Sequence, residues 1–374
     1  MNVHELAAHC RTRHESADDA AWLESIQMLE REPTNPDRFY RVAERCWQLG
    51  DVDLWQRVAQ VALGLPHVTH RQRFQRGGTK LALGDWSGWL DRESRIFHPE
   101  HSSCPSEGWY IRWTKRPWDG KENIHEKTIL LAPDGSHGDC LQMMRYISVV
   151  APMAGHVILG VDPELITFAQ HNFGSVVTTV PCDVRHSVPL TPRGVELSIQ
   201  CHRYAWLMSL PALLGGPPPF VPLCAPQPAA RRAFDHRPQV GFDWTEQSDW
   251  LAPLLDRDDM QWHRLQLGDK GDESARFETF ADIANYIVSL DCVVSADTAI
   301  AHLAGTLGVR TLLILPVGAD PRWGLEDTTP WYPSMRLIRQ RTPGNWAGVI
   351  DELAIQLDAK AGTPEHQVQS VPRQ

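Results

Sequence analysis

No stretch of the 374-residue chain approaches eighteen consecutive apolar residues, so a membrane-spanning helix is not expected. The first thirty residues, MNVHELAAHCRTRHESADDAAWLESIQMLE, are charged and amphipathic and lack the apolar centre of a secretory signal. A cytoplasmic setting is the expectation. No Lys/Arg-rich run relieves the formal net charge of −10, which argues against nucleic acid as the main partner. A small anionic ligand at a locally basic site stays compatible with that balance. The eight cysteines (10, 46, 104, 140, 182, 201, 224 and 292) form no close CxxC pair and suggest neither a zinc site nor a disulfide framework. HVTH (67–70) and HPEHSSC (98–104) gather His and Cys in polar loops without strong zinc spacing, so no metal is expected. No GxGxxG follows either candidate first strand, which leaves little ground for dinucleotide-dependent hydride transfer.

What is present is an ordinary globular composition, 42% hydrophobic and 22% charged, on a chain long enough for two or three domains. Residues 1–95 read as helical. LGD recurs at Leu49-Gly50-Asp51 and Leu83-Gly84-Asp85, an offset of 34 residues, each copy behind an aromatic and basic stretch. That period is the one of tetratricopeptide helix–turn–helix repeats. Residues 96–127, Trp-rich and polar, read as an irregular connection. From 128 to 215 apolar runs TILLA, HVILGV and SVVTTVP alternate with helix-like segments, DCLQMMRYISVVAPMAG among them. Such alternation predicts a parallel, layered sheet. A proline-rich linker covers 216–237, where neither a continuous helix nor a central strand is expected. The alternation restarts over 238–360 with QVGFDW, WHRLQL, DCVVSA, TLLILPV and MRLIRQ as strands. Residues 361–374 read as a flexible tail.

Within the second alternating unit, SADTAIAHLAG (295–305) puts Asp297 and Thr298 between an apolar run and a small-residue helix. In an α/β protein this is the carboxyl end of a strand, where ligands sit. Either residue could simply be the helix N-cap, or the helix start could face a phosphate; the two readings are compatible. His302 lies four residues after Thr298, on the same helix face.

The motifs SADTAIAHLAGTLGVRTLLILP, DPRWGLEDTTPWYPSMRLIRQ, GDWSGWLDRESR, RPWDGKENIHEKTILLA and GSHGDCLQMMRYI occur in colinear order. Together they resemble tetratricopeptide-repeat-linked glycosyltransferases, relatives of ADP-heptose (lipopolysaccharide heptosyl) and O-linked GlcNAc transferases, from about residue 80 to 358. The resemblance implies an α/β, GT-B-like architecture: two Rossmann-like domains facing a cleft, behind a tetratricopeptide-like helical region. It also implies a nucleotide-diphosphate sugar as donor, held by the C-terminal domain, and no separate cofactor. By that likeness Asp139 is the catalytic base, with Ser136, His137 and Gly138 in the acceptor-side loop. Asp297, Thr298 and His302 would meet the donor, with Pro316, Arg322 and Trp323 on the loop that closes over it. Trp331 and Tyr332 read as packing aromatics.

The sequence departs from that family at 241–250, GFDWTEQSDW, where a longer, basic loop is usual. The segment holds Asp243, Glu246 and Asp249 and no Lys or Arg, the wrong sign for a leaving diphosphate. Thr245, Gln247 and Ser248 are its hydrogen-bond donors; Lys270 and Arg322 are the candidate compensating cations. Two functions are therefore carried. One is an inverting, metal-independent transferase acting on an acceptor, a protein among the candidates, presented by the helical region. The other is a catalytically silent relative that binds a partner. Nucleotide and sugar identity and oligomeric state are left open.

Overall fold

A computed structural model describes residues 3–13, 20–97, 115–183, 188–189, 191–228, 237–244, 249–268 and 277–359. Thr245, Gln247, Ser248, Lys270 and the tail at 361–374 lie outside the described residues. The chain opens with helices α1 (Val3–Arg13), α2 (Ala20–Arg31), α3 (Pro36–Gln48), α4 (Val52–Leu63), α5 (His70–Ala82) and α6 (Gly88–Arg92). The starts of α3, α4 and α5 are chemically specified. Asn35 accepts from the Asp37 N–H ahead of Pro36, Asp51 accepts from Leu54, and Thr69 with Gln72 forms a capping box. Each helix buries one apolar stripe: Phe39, Tyr40, Val42, Ala43 and Cys46 from α3 meet Leu54, Trp55, Val58 and Ala59 from α4 in one core.

The LGD recurrence has a local cause. Gly50 (φ 74°) and Gly84 (φ 80°) take the left-handed conformation after α3 and α5. The following N–H groups reach back to carbonyls five residues earlier, Asp51 to Cys46 at 3.0 Å and Asp85 to Lys80 at 2.8 Å. This is the glycine-ended helix stop, used twice. Close approach marks a second pair of glycines. A Cβ on Gly77 would lie 2.6 Å from the Gly88 carbonyl oxygen, and one on Gly88 2.4 Å from the Gly77 oxygen. Gly77→Ala is therefore expected to destabilise the protein by about 1–3 kcal/mol, the range for overpacking a filled site. Urea denaturation reads this, and an unchanged midpoint would refute it.

Two sheets follow. The first has strands β1 (Arg116–Pro117), β2 (Thr128–Ala132), β3 (His156–Val161), β4 (Val177–Asp183), β5 (Val188–Pro189) and β6 (Arg203–Trp206), in the order β1-β6-β2-β3-β4-β5. All its pairings are parallel except β4 with β5. The second is wholly parallel: β7 (Gln239–Asp243), β8 (Gln261–Arg264), β9 (Cys292–Ser295), β10 (Thr311–Leu315) and β11 (Met335–Arg339), in the order β11-β10-β9-β7-β8. TILLA, CVVS and TLLIL are buried almost end to end, as strands covered on both faces must be. The helices that matter below are α7 (His137–Met143), α8 (Ile166–Phe173), α9 (Phe280–Ile287), α10 (Ala299–Thr306) and α11 (Ala347–Asp358).

The structure differs from the sequence expectation in one place. The helix expected over 139–155 breaks into α7, a 3-10 turn at Met144–Tyr146, one turn at Ile147–Val150 and a second 3-10 turn at Ala151–Met153. Pro152 has no N–H to continue the ladder. The proline-rich segment is free of helix and strand over its described residues, 216–228 and 237. The Asn172 side chain pairs with both the N–H and the carbonyl of Cys224, the Leu223 N–H donates to the Thr306 carbonyl, and Arg145 donates to Pro218. It is a strap fastened to both sheet units.

The helical front touches both units as well. Arg95, just beyond α6, forms a buried ion pair with Asp134 at 2.7 Å in the loop after β2. Trp47 donates its indole N–H to the Ala319 carbonyl at 3.4 Å in the loop after β10. One apolar core then runs through both units, with Leu131, Cys140 and Tyr146 from the first beside Leu303, Leu313 and Trp331 from the second.

Candidate functional site

The site forms where the loop after β2 faces the loop after β9. Ser136, with extended backbone, caps α7; its hydroxyl accepts from the Asp139 N–H, and the Asp139 carboxylate accepts from the Ser136 N–H at 2.8 Å and its O–H at 2.9 Å. This reciprocal box explains why an acid stands three positions after a serine. Opposite, Thr298 caps α10 through its hydroxyl, which accepts from the Ile300 N–H and donates to Asp243 Oδ2 at 2.5 Å. Of the two candidate caps, then, Thr298 fills the position and Asp297 is left for other contacts. Asp297 Oδ2 accepts from the Trp323 indole at 2.7 Å, and its Oδ1 lies 3.5 Å from His302 Nε2. His302 is buried, its Nδ1 paired with the Tyr332 hydroxyl at 2.8 Å and its ring stacked on Trp323.

Arg322 crosses from the second unit to the first. Asp320 caps the short turn Pro321–Trp323, accepting from the Arg322 N–H at 2.8 Å, and also pairs with the Arg322 guanidinium. The same guanidinium forms an ion pair with Asp139 Oδ1 and donates to Gln142 Oε1 at 2.9 Å. Burial pushes the Asp139 carboxyl up, but the Arg322 charge and the Ser136 N–H outweigh it and hold the group below its ordinary range. For Arg322, burial lowers the pKa and the Asp320 and Asp139 carboxylates raise it further. Asp243 moves the other way, raised by burial despite its Thr298 partner. The candidate base thus has both carboxylate oxygens occupied, which makes it a weak base in this arrangement.

Eight of the eleven residues picked out from the sequence line one cleft of about 240 Å³: Ser136, His137, Gly138, Asp139, Asp297, Thr298, His302 and Arg322. Gly138 lets α7 approach α10, because a Cβ there would lie 2.6 Å from His302 Cδ2. Trp323 is buried behind this surface, so it braces Asp297 and His302 and offers no open face to a base or sugar. Pro316 is not in the cleft; it lines a separate cavity toward the helical front. His137 leans away from Asp139, with Nε2 3.4 Å from Asp162 and 3.8 Å from Glu164. The donor atoms of these three lie within 4.8 Å of one another, a set able to hold a cation. Trp331 and Tyr332 are buried, as packing aromatics should be, though Tyr332 also orients His302.

Sequence reasoning passed over Asp320, Gln142 and the pairing of Asp243 with Thr298. Asp320-Pro321 is a recognisable cap dipeptide, and Gln142 stands one turn after Asp139 on the same helix face. Nothing local marks the Asp243 contact, which spans 55 residues.

The clasp predicts an acid limb. The Asp139 and Asp320 carboxyls are both held below their ordinary values, against about 3.9 for an unfolded Asp. Groups depressed on folding stabilise above the unfolded pKa, and that contribution is lost as pH falls below about 4. Between pH 5 and 8 they add no slope. The melting temperature should fall below pH 4 less steeply in Arg322→Met than in the parent protein. Parallel profiles would show that the clasp does not set the limb.

No family model and no curated protein sequence matches the chain. Among solved structures, a glycosyl transferase family 9 protein from Veillonella parvula aligns at 10% identity and TM-score 0.40, over 64% of this chain and 97% of that one. The E. coli heptosyltransferase WaaC with ADP-2-deoxy-2-fluoro heptose aligns at 12% identity and TM-score 0.40, over 62% of this chain and 100% of that one. A Thermobaculum terrenum O-GlcNAc transferase mutant aligns at 13% identity and TM-score 0.24, over 96% of this chain and 90% of that one. Likenesses of this depth assign neither family nor activity, and the two parallel sheets stand on their strand pairing alone.

Proposed function

We propose that the chain is a GT-B-like glycosyltransferase, moving a sugar from a nucleotide diphosphate to an acceptor hydroxyl. The observation that carries this is the convergence, from two parallel-sheet units, of a helix-start acid (Asp139), the start of α10 with Asp297, Thr298 and His302, and one arginine shared between the two sides. Sites at the carboxyl ends of parallel strands, with a helix N-terminus pointing in, suit a phosphorylated ligand. In this reading α10 and Arg322 hold the diphosphate, and Asp139 takes the acceptor proton. The acceptor oxygen forms its bond to the anomeric carbon as the bond to the diphosphate breaks on the opposite face. The sugar is inverted, and the released negative charge rests on Arg322. The step needs no metal, and the tetratricopeptide-like front presents the acceptor, a protein among the candidates, in the cytoplasm.

The geometry adds one condition. A cleft of about 240 Å³ is below the usual range for small-molecule sites, about 300–1,000 Å³, and it is open to solvent, so a donor would extend beyond it. A diphosphate competes with Asp139 for Arg322. Taking that guanidinium returns the Asp139 carboxyl toward its ordinary basicity, so the donor itself would switch on the base. The same occupied carboxylate, with buried Asp243 beside Thr298 in place of a basic loop, favours the second reading, a silent binding module. Calorimetric titration with UDP, GDP, ADP, CDP and TDP separates the two. Binding of one of them, lost in Asp297→Ala, upholds a donor site and names the nucleotide for transfer assays. Binding of none rejects the transferase.

A further inference from the structure

A second cavity, of about 530 Å³, is larger than the cleft and belongs to neither reading above. It opens where the turn between α3 and α4 meets the carboxyl ends of β10 and β11. The helical wall carries Trp47, Asp51 and Asp53, and the sheet wall carries Arg339, Gln340 and Arg341. The left-handed turn at Gly50 brings the walls together; a Cβ there would stand 2.8 Å from the Arg341 carbonyl oxygen. The contact is therefore built into the turn. Arg339 is held rigid by the carbonyls of Trp323 and Glu326, each at 2.9 Å. Arg341 is 80% exposed, with Asp327 at 3.9 Å. Gln340 is only 8% exposed; its Oε1 accepts from the Val317 N–H, while its buried Nε2 has no partner.

A buried amide N–H without an acceptor is costly, and Gln340 lines this cavity. The lining carries two carboxylates, of which Asp51 also caps α4 through the Leu54 N–H, and two guanidiniums, so its formal charge is zero. A phosphate would lie against Asp51 and Asp53, and a cationic ligand against Arg339 and Arg341. A hydroxyl-rich neutral ligand satisfies both walls at once, since each hydroxyl donates to a carboxylate and accepts from a guanidinium or amide. The indole of Trp47 adds apolar area for C–H faces. We propose that this cavity is a binding site for a neutral saccharide, one to three sugar units long, separate from the cleft and independent of any transfer.

The test is calorimetry on the full chain with maltose, lactose and diacetylchitobiose, repeated on Asp53→Asn and Arg341→Gln. Both positions are exposed, and thermal unfolding checks that each variant keeps its fold. At least one disaccharide is expected to bind, with affinity reduced tenfold or more in each variant and unchanged in Asp297→Ala. Failure of all three sugars overturns the proposal. So does saccharide binding that neither variant weakens, and so does an extended peptide or a nucleotide whose binding the two variants abolish in place of the sugar's. Because Asp297→Ala removes nucleotide binding and leaves this signal, loss of the transferase reading would not be mistaken for loss of the saccharide site.

Discussion

Replacing Arg322 with methionine is expected to lower the free energy of unfolding by about 3–5 kcal/mol, the range for removing one partner of a buried charge pair. The guanidinium is 11% exposed and serves Asp139 and Asp320 together. Without it two part-buried carboxylates keep, among the described residues, only Arg92 as a neighbouring cation. Methionine keeps most of the volume, so the loss reads electrostatics and not a cavity. Asp139→Asn placed on top of Arg322→Met should recover part of it, because one of the stranded charges goes. Equilibrium urea unfolding measures both. A loss under about 1 kcal/mol, the scale of a surface pair, would mean that the clasp is solvated and weak.

The second large effect concerns activity. On the proposed transferase reading, Asp139→Asn should lower sugar transfer by about 10²- to 10⁴-fold, the contribution of a positioned general base. Nucleoside diphosphate affinity should hold or tighten, since Arg322 no longer has Asp139 as a competitor. In Arg322→Met both should drop. These opposite signs on binding are what the shared arginine predicts. Equal loss of binding in both variants would mean that Asp139 touches the nucleotide directly, and transfer that survives in Asp139→Asn would move the base elsewhere.

The two helix starts that frame the site follow from local chemistry. A serine three residues before an acid specifies a capping box, and SADT after an apolar run specifies a helix start at a strand end. Eight of the residues that the family likeness singled out line one cleft. Two of the chosen residues lie outside that cleft. Pro316 and Trp323 lie on the loop that the motifs singled out, but which face of a short loop turns inward depends on what packs against it. Here His302 and Tyr332 bury Trp323, and Pro316 faces the cavity shared with the turn after α3.

By itself the sequence determined the α/β alternation, the two apolar strand sets, the caps of the helices and the glycine-ended turns at Gly50 and Gly84. Each depends on residues within a few positions of one another, or on burial so uniform that any sheet partner satisfies it. The tertiary structure alone decided which charges meet. Arg322 reaches an aspartate 183 residues earlier, Thr298 pairs with one 55 residues earlier, and Trp47 closes on a carbonyl 272 residues later. Such contacts leave no periodicity or spacing in the chain. They arise because long charged and polar side chains take whatever partner the packed elements bring within about 3 Å, and that is settled only when the core has closed.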